Sequence, residues 1–229
     1  MELMAITKGD IIKLSFTGKL DNGSVFDTTD ADVAKQNEIY DEKRTYEPMT
    51  VVVGSNTLVQ GLEEDLPGKK KGHKGTVTVP PEKGYGFRSL ELIETVSTKK
   101  FDKKPEPGAW IESDGRVGVI ESVSGGRVRV DYNEPLAGKT LTFDYRIEDV
   151  LEDKGEKTDA IIHGYIGPEA KYETVGDTIT IDVPKEYYLS EEWAIGKVLI
   201  ARFLTSFVGY RHVTYKETFD ESDLAEKSE

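Results

Sequence analysis

The stretch of sequence that decides the fold reads FTGKLDNGSVFDT, from Phe16 to Thr28. Its two halves predict strands that fold back on each other about Asn22-Gly23, because both of these residues tolerate the positive φ of a tight hairpin turn. The second strand ends in an aromatic residue followed by an acid, Phe26-Asp27. A core needs the ring but not the adjacent carboxylate. Asp27 is therefore either a turn acceptor or a functional group beside an apolar pocket.

The overall composition allows a packed core and argues against some classes of function. The chain has 229 residues, of which 37% are hydrophobic, and this length fits one to three domains. The formal net charge of -13 argues against a nucleic-acid partner, because phosphate backbones attract basic surfaces. Since cysteine is absent, the chain forms neither disulfides nor thiolate metal sites.

Nothing in the sequence indicates a membrane, a metal or a cofactor as a partner. Charged residues interrupt 1–12, and no apolar run approaches the roughly 20 residues that cross a bilayer. We therefore expect a soluble cytoplasmic protein. The histidines, His73, His163 and His212, have no ligand-like spacing, so we predict no metal site and no cofactor.

Outside the hairpin, the periodicity of apolar residues predicts a mixture of strands and helices. Alternating or β-branched residues predict strands at 11–15, 51–53, 76–79, 109–113, 116–123, 127–132, 141–151 and 178–183, with a turn at Asp114-Gly115. Helical spacing predicts helices at 31–36, at 58–66 with Thr57 as its cap, and at 191–207. The polar stretch 152–158 marks the start of a third unit. In the last helix we expect a core stripe formed by Ile195, Val198, Leu199, Phe203 and Phe207.

Three further segments complete a pattern with the opening hairpin: LVQGLE at 58–63, PPEKGYG at 80–86 and LTFD at 141–144. In this order and spacing they resemble the FKBP-type peptidyl-prolyl cis-trans isomerases. The match runs without interruption over 1–86 and resumes at 137–151. The insertion directly after Tyr85-Gly86 resembles the insert-in-flap domain of SlyD-like isomerases. The C-terminal unit is similar to that of the long archaeal members.

The resemblance implies an α+β fold with three parts. The isomerase domain, residues 1–86 and 137–151, would be an FKBP half-barrel, an antiparallel sheet wrapped on a short helix. Residues 87–136 would form a small inserted β domain with chaperone activity, and residues 152–229 a C-terminal α/β domain. The last domain could mediate a homodimer, bind clients or only cap the isomerase, and its sequence does not decide among these roles.

The activity implied by the resemblance is isomerisation of X-Pro bonds in peptides and in unfolded or partly folded proteins. Rotation about a peptide bond costs about 18–20 kcal/mol. The two X-Pro isomers are close in energy, yet they exchange over tens of seconds or more. An apolar, water-poor cleft favours the twisted amide selectively, because charge separation is smaller there than in the planar amide. Such catalysis needs no nucleophile, metal or cofactor.

The resemblance also implies which residues form the site. The catalytic set would be Asp27, Tyr85, Phe26 and Phe143. The Tyr85 hydroxyl would bind a substrate carbonyl, and Asp27 would orient the peptide or polarise the pocket edge. The rest of the pocket would bind the proline and its neighbours through Phe16, Met49, Leu58, Leu62 and Val59, whose backbone N–H would meet a second carbonyl. Without the motif order, the same apolar residues read as ordinary core.

Two positions depart from the family pattern. Phe16 stands where relatives often carry Tyr, and Leu62 stands where many carry Trp. We therefore expect a wider pocket that binds macrolide inhibitors only weakly.

The insert contains more apolar residues than so small a unit comfortably buries. By the family likeness, part of them would form a peptide-binding chaperone surface, made of Leu92, Ile93, Val96, Phe101, Trp110, Ile111 and Val128. The plainer interpretation is a compact satellite core. A non-catalytic peptide-binding holdase or scaffold is the alternative function. A hydrolase or phosphoryl-transfer enzyme is disfavoured, because the sequence has no Gly-rich phosphate loop, HExxH run or GxSxG elbow.

Overall fold

The computed structural model describes residues 4–113, 115–188 and 190–220. Its strands are β1 (Ile11–Leu20), β2 (Val25–Thr28), β3 (Met49–Val52), β4 (Lys74–Val79), β5 (Ile93–Ser97), β6 (Trp110–Ser113), β7 (Arg116–Ser124), β8 (Arg127–Asp131), β9 (Leu141–Leu151), β10 (Lys171–Val175), β11 (Thr178–Asp182) and β12 (His212–Lys216). Its α-helices are α1 (Ala31–Gln36), α2 (Gln60–Asp65), α3 (Lys154–Tyr165) and α4 (Glu191–Phe203). The predicted α+β fold, with an inserted β unit and a C-terminal α/β unit, is confirmed.

The first sheet is antiparallel and has the order β2-β1-β9-β4, and β3 pairs with the first half of β1. The predicted hairpin is confirmed, since β1 and β2 pair across a turn in which Gly23 has a φ of 84°. Helix α2 lies against this sheet, and its Leu62 and the C-cap residue Leu66 are buried in the same apolar cluster as the strands. The predicted cap of this helix is wrong. The N-cap residue is Val59, while the Thr57 hydroxyl pairs with that of Ser55 at 2.9 Å.

The insert forms a second antiparallel sheet, with the order β5-β8-β7-β6. Its core consists of Ile120, Val128 and Val130. The chain enters and leaves the insert at one point, where the Gly138 N–H donates to the Gly86 carbonyl at 2.7 Å. Both glycines have a φ of 75°.

Beyond these glycines, the two linker segments are bonded to each other and to the insert. The Arg88 guanidinium donates to Asp131 at 2.7 Å and to Glu121 at 3.0 Å. The Asn133 side chain accepts from the Ser89 N–H at 2.8 Å and donates to the Ser89 carbonyl at 2.9 Å. These contacts tie residues 88 and 89 to the insert rather than to the isomerase sheet.

The C-terminal unit has a third sheet, β10-β11-β12, in which β10 and β11 are antiparallel and β11 and β12 are parallel. The polar stretch at 152–158 contains the first turn of α3, a helix that we did not predict. Its N-cap is Asp153, whose side chain accepts from the N–H groups of Gly155 and Glu156. The polar residues of this stretch are therefore those that begin and cap a helix. Residues 1–3, 114, 189 and 221–229, including Asp114 of the predicted turn, lie outside the described residues.

The predicted core stripe of the last helix is partly wrong. Ile195 and Val198 on α4 are 77% and 66% exposed. The predicted Phe203 is fully buried, Leu199 and Phe207 are partly buried beside it, and the buried face also carries Trp193 and Ile200, which were not predicted. The helix carries apolar side chains on all of its faces, so the spacing of these residues alone could not show which face is buried.

The C-terminal unit packs directly on the isomerase sheet. Ile11 of β1 and Val52 of β3 belong to the same buried cluster as Ile161 and Ile162 of α3. The Thr50 hydroxyl donates to the Ala160 carbonyl at 3.0 Å. Within the described ranges, none of the helices has the length and apolar character that crossing a bilayer requires.

Candidate isomerase site

The register of the first sheet brings Asp27 and Phe143 to one face. Gly18 of β1 lies opposite Asp27 of β2 on one side and opposite Phe143 of β9 on the other. Val77 of β4 continues the same row beyond Phe143. Directly opposite residues of an antiparallel pair point to the same face of a sheet. The carboxylate of Asp27 therefore shares a face with the Phe143 ring.

Three phenylalanine rings meet on this face. Phe143 is almost fully buried, and the half-buried rings of Phe16 and Phe26 approach it edge-on, with centroid distances of 6.0 and 5.7 Å. Such edge-to-face geometry is the favourable arrangement of aromatic pairs. A register shift in the hairpin leaves Phe26 between the paired residues Val25 and Asp27.

Gly18 makes room for the Phe26 ring. A Cβ at this position would lie 2.6 Å from the nearest ring carbon, which is closer than real side chains approach. We expect Gly18→Ala to push the ring out of place and to lower the free energy of unfolding by about 1–3 kcal/mol, the usual cost of overpacking. The rate constant kcat/KM for a proline peptide should fall with it.

Chemical denaturation and peptide kinetics on the same samples check this expectation. Gly196→Ala in α4 is the matched control, because the nearest side-chain atom would lie at 4.0 Å. That change should leave stability equal or slightly higher, since alanine favours a helix over glycine. Equal losses in the two variants would contradict the role given to Gly18.

The start of α2 forms the opposite wall of the site. Leu62 is fully buried, while Leu58 and Val59 are half-buried against the same apolar cluster as Phe143. As the N-cap residue, Val59 accepts hydrogen bonds from the N–H groups of Leu62 and Glu63, both at 3.0 Å. Its own N–H donates to no other residue among those that the structure describes. This donor is therefore available to a ligand.

The structure brings most of the predicted pocket together. Phe16, Phe26, Leu58, Val59 and Met49 of β3 are half-buried and pack against the cluster that contains Leu62 and Phe143. Residues from β1, β2, β3, α2 and β9 thus meet in one apolar region with partly open walls. Leu62, at the base of this region, has no polar group to offer.

Asp27 is held by a residue that the sequence analysis missed. Its carboxylate lies 2.5 Å from a terminal guanidinium nitrogen of Arg44 and also accepts from the Thr28 N–H at 2.8 Å. The Arg44 guanidinium in turn lies over the Tyr46 ring, 5.3 Å from its centroid. Arg44 belongs to a polar loop without periodicity, so its sequence carries no signal of this role. The geometry fixes a negative charge at the edge of the apolar face.

Tyr85 lies apart from the apolar cluster. Its side chain follows a short 3-10 turn, Pro81–Lys83, and is 42% exposed. Partial burial raises the pKa of its hydroxyl, and the negative charges of Asp27 and Glu134 raise it further. The hydroxyl therefore keeps its proton at neutral pH and can donate. In residues 4–113, 115–188 and 190–220 it has no hydrogen-bond partner.

The predicted chaperone surface needs a correction. Val128 is fully buried and belongs to the core of the insert, because it faces Val96 and Val123 across the sheet. Val96, Phe101 and Ile111 are half-buried against that core, and Ile93 is half-buried. Leu92 and Trp110 are exposed. The sequence analysis missed further exposed apolar side chains, those of Phe87, Leu90 and Val117.

The arrangement suits a ligand with an apolar ring and flanking carbonyl groups. An apolar, partly enclosed face can receive the ring, and the Val59 N–H and the Asp27 carboxylate lie beside it. The Tyr85 hydroxyl is near enough to feel the charge of Asp27. This chemistry stabilises a peptide bond in the twisted form and offers no nucleophile. Within the described part of the chain, no group of three or more His, Cys, Asp or Glu side chains could hold a metal ion.

Comparison with known proteins finds family models that together match most of the chain. A family model described as FKBP-type peptidyl-prolyl cis-trans isomerase matches residues 4–103. Models described as the IF domain and the C-terminal region of FKBP26 match residues 92–136 and 154–220.

Several curated relatives are named as peptidyl-prolyl cis-trans isomerases. The chain is 40% identical over 154 residues to a short-type peptidyl-prolyl cis-trans isomerase of Methanocaldococcus jannaschii, covering 66% of this chain and 98% of that one. It is 30% identical over 153 residues to an FKBP-type 16 kDa isomerase of Escherichia coli, covering 64% and 94%. It is 31% identical over 169 residues to the isomerase SlyD of Vibrio cholerae, covering 71% and 76%. The family predicted from the motifs is confirmed: this chain belongs to the FKBP-type peptidyl-prolyl cis-trans isomerases.

Proposed function

We propose that this isomerase accelerates proline-limited protein folding by receiving the proline ring between Phe143 and the start of α2. The observation that carries the proposal is the convergence of three phenylalanine rings on the sheet face that also presents Asp27. In such a cleft the planar amide loses its favourable hydration, whereas the twisted amide loses less. A thousandfold acceleration requires only about 4 kcal/mol of this selectivity.

The polar groups at the rim would orient the substrate. The Val59 N–H and the Tyr85 hydroxyl are free donors, and each can bind one carbonyl oxygen that flanks the proline. Asp27 transfers no proton in this scheme. Its charge, held by Arg44, would orient the peptide and polarise the pocket edge.

We infer that the insert is a chaperone module that holds unfolded segments near this cleft. Exposed apolar side chains support it, since Trp110 and Val117 lie on one face of the β6–β7 pair and are 61% and 58% exposed. Leu90 and Leu92 add further exposed apolar surface before β5. Strand β6 is also an edge of its sheet, so an extended client could add a strand there.

The same reasoning supports a division into three domains. We propose residues 1–86 with 137–151 as the isomerase domain, 87–136 as the insert and 152–229 as the C-terminal domain. Weak binding of macrolides, a homodimer through the C-terminal domain, the cytoplasmic location and the absence of nucleic-acid and membrane partners stay predictions from the sequence.

A refolding experiment tests the proposal. The purified protein should accelerate the proline-limited phase of a denatured model protein at substoichiometric concentration, and it should also isomerise a short X-Pro peptide. If catalytic amounts changed neither rate, the proposed pocket would be wrong. If only the peptide responded, the chaperone part would be wrong.

Tyr85→Phe measures what the free hydroxyl contributes. Since one neutral hydrogen bond is worth roughly 0.5–1.5 kcal/mol, we expect kcat/KM for a short peptide to fall about threefold to tenfold. The free energy of unfolding should not change, because the hydroxyl has no partner in the described part of the chain. Tyr40→Phe is the control, as that side chain is also 42% exposed. Equal kinetic effects of the two changes would argue against Tyr85 as a substrate ligand.

A further inference from the structure

A second cleft lies between the isomerase sheet and the C-terminal unit. Its volume is about 840 Å³, within the range of roughly 300–1,000 Å³ that is usual for ligand-binding sites. One wall comes from β1, β3 and the loop before β3. The other comes from α3 and the segment that follows it, where His163, Gly164 and Tyr165 line the cleft. We call this space the interdomain groove.

The interdomain groove borders the proposed proline pocket at two residues. Met49 lines the groove and also packs against the apolar cluster that contains Phe143. Arg44 lines the groove as well, and its guanidinium holds Asp27 at the pocket edge. A polypeptide whose proline occupied the pocket would therefore have its neighbouring residues next to the groove.

The polar groups of the groove match a polypeptide backbone. The Lys13 ammonium is half-buried and donates to the Thr50 hydroxyl at 2.8 Å, and none of the described carboxylates lies within ion-pair distance of it. An ammonium has three donors, so two remain for carbonyl oxygens of a ligand. On the opposite wall, α3 ends, and the carbonyls of His163, Gly164 and Tyr165 accept no bond from the described residues. These oxygens can accept backbone N–H groups.

The charges of the groove disfavour a phosphate or another small anion as its occupant. Lys13 and Arg44 are offset by Glu47, Glu156 and Asp159, which also line it. A neutral chain of peptide groups, with donors and acceptors in alternation, suits such a mixed lining better than a concentrated negative charge.

We propose that the interdomain groove binds the client segment that adjoins the proline, so that the C-terminal unit forms part of the substrate site. The inference rests on the pocket proposed above and extends it by a subsite on α3. A segment of about six extended residues spans roughly 20 Å, so the subsite engages long substrates and leaves a tetrapeptide untouched.

Peptides of two lengths test the subsite in the full chain. The first probe is a Gly-Leu-Pro-Ala tetrapeptide. Two further peptides contain the same tetrapeptide with about six added Ala and Ser residues, one peptide being lengthened before the proline and the other after it. Exchange spectroscopy gives KM and kcat for each. We expect one of the two lengthened peptides to have a KM about tenfold lower than that of the tetrapeptide.

In His163→Trp the KM of the lengthened peptide should be only about twofold lower than that of the tetrapeptide, because the indole would fill the groove beside α3. In Lys13→Met the difference in KM should be about threefold. His212→Trp is the matched control. His212 is an exposed histidine of the same unit and does not line the groove, so its replacement should preserve the difference in KM. Thermal denaturation of each variant verifies that it is folded.

Two outcomes would overturn the subsite. One is equal KM values for all three peptides in the unaltered protein. The other is that His163→Trp and His212→Trp reduce the difference in KM between short and long peptides to the same extent. Failure of the pocket itself has a different signature, because the tetrapeptide would then show no catalysed exchange at all.

Discussion

Deleting residues 87–136 and joining Gly86 to Ala137 through a short Gly-Ser linker should separate two activities. We expect kcat/KM for a short X-Pro peptide to stay within about threefold of its original value, whereas acceleration of proline-limited refolding of a whole protein should fall about 100-fold. The larger loss follows from effective concentration, since a tethered binding module raises the encounter frequency by about 10² to 10⁴. Kinetics with both substrates on the deletion variant check the result.

The fold provides the reason to expect that the rest of the protein survives this deletion. The insert has its own core of Ile120, Val128 and Val130, and the Gly86 and Gly138 backbones are already hydrogen-bonded to each other. Trp110→Ser offers a milder companion change, because that side chain is 61% exposed and contributes little to the core. Trp110→Ser should lower the acceleration of protein refolding and leave the rate with the short peptide unchanged. Loss of the short-peptide rate in a folded deletion variant would disprove the modular account.

Asp27→Ala should reduce kcat/KM for a short peptide by about 30-fold, because hydrogen bonds to a charged group contribute roughly 1.5–3 kcal/mol. Its effect on folding should be small. The ion pair with Arg44 has exposed side-chain fractions of 34% for Asp27 and 43% for Arg44, and such surface pairs contribute about 0–1 kcal/mol. Peptide kinetics and chemical denaturation, measured on the same preparation, distinguish loss of function from loss of structure.

A companion substitution divides the role of Asp27 into charge and shape. Asp27→Asn keeps a hydrogen-bond acceptor beside the Thr28 N–H but removes the negative charge that faces Arg44. If the charge polarises the pocket edge, this variant should lose nearly as much as Asp27→Ala. Asp21→Ala, which removes an exposed carboxylate from the turn of the same hairpin, serves as the control and should change nothing. A large drop in unfolding free energy for Asp27→Ala would mean that the residue is structural.

The sequence predicted the parts of the site that local patterns encode. The Asn22-Gly23 turn predicts the hairpin that carries Phe26 and Asp27, whereas the register shift that places Asp27 opposite Gly18, and hence beside Phe143, is visible only in the structure. Short motifs with fixed turn chemistry could therefore be interpreted without coordinates. The order of the four motifs, through the family that it resembles, then predicted which distant segments of the chain pack together.

Features that depend on tertiary packing could not be predicted in the same way. Arg44 reaches Asp27 from a loop whose residues have no period, so only the folded path of that loop reveals the pair. Val128 was assigned to an exposed surface through the family likeness, and only its pairing with Val96 and Val123 shows that it occupies the core of the insert. The buried face of α4 was misassigned because Ile195 and Ile200 are equally apolar, and contact with β11 and α3, rather than hydrophobicity, decides which one is covered.

The junction of the insert has a mechanical consequence. Arg88 and Asn133 bind the linker segments to the inserted sheet, so any swing of that sheet must be taken up by backbone rotation at Gly86 and Gly138, where left-handed φ values leave glycine free to turn. Tyr85 is the residue next to this pivot. A movement of the insert about these glycines would therefore also shift the Tyr85 side chain, so the orientation of this phenol would depend on the position of the inserted sheet.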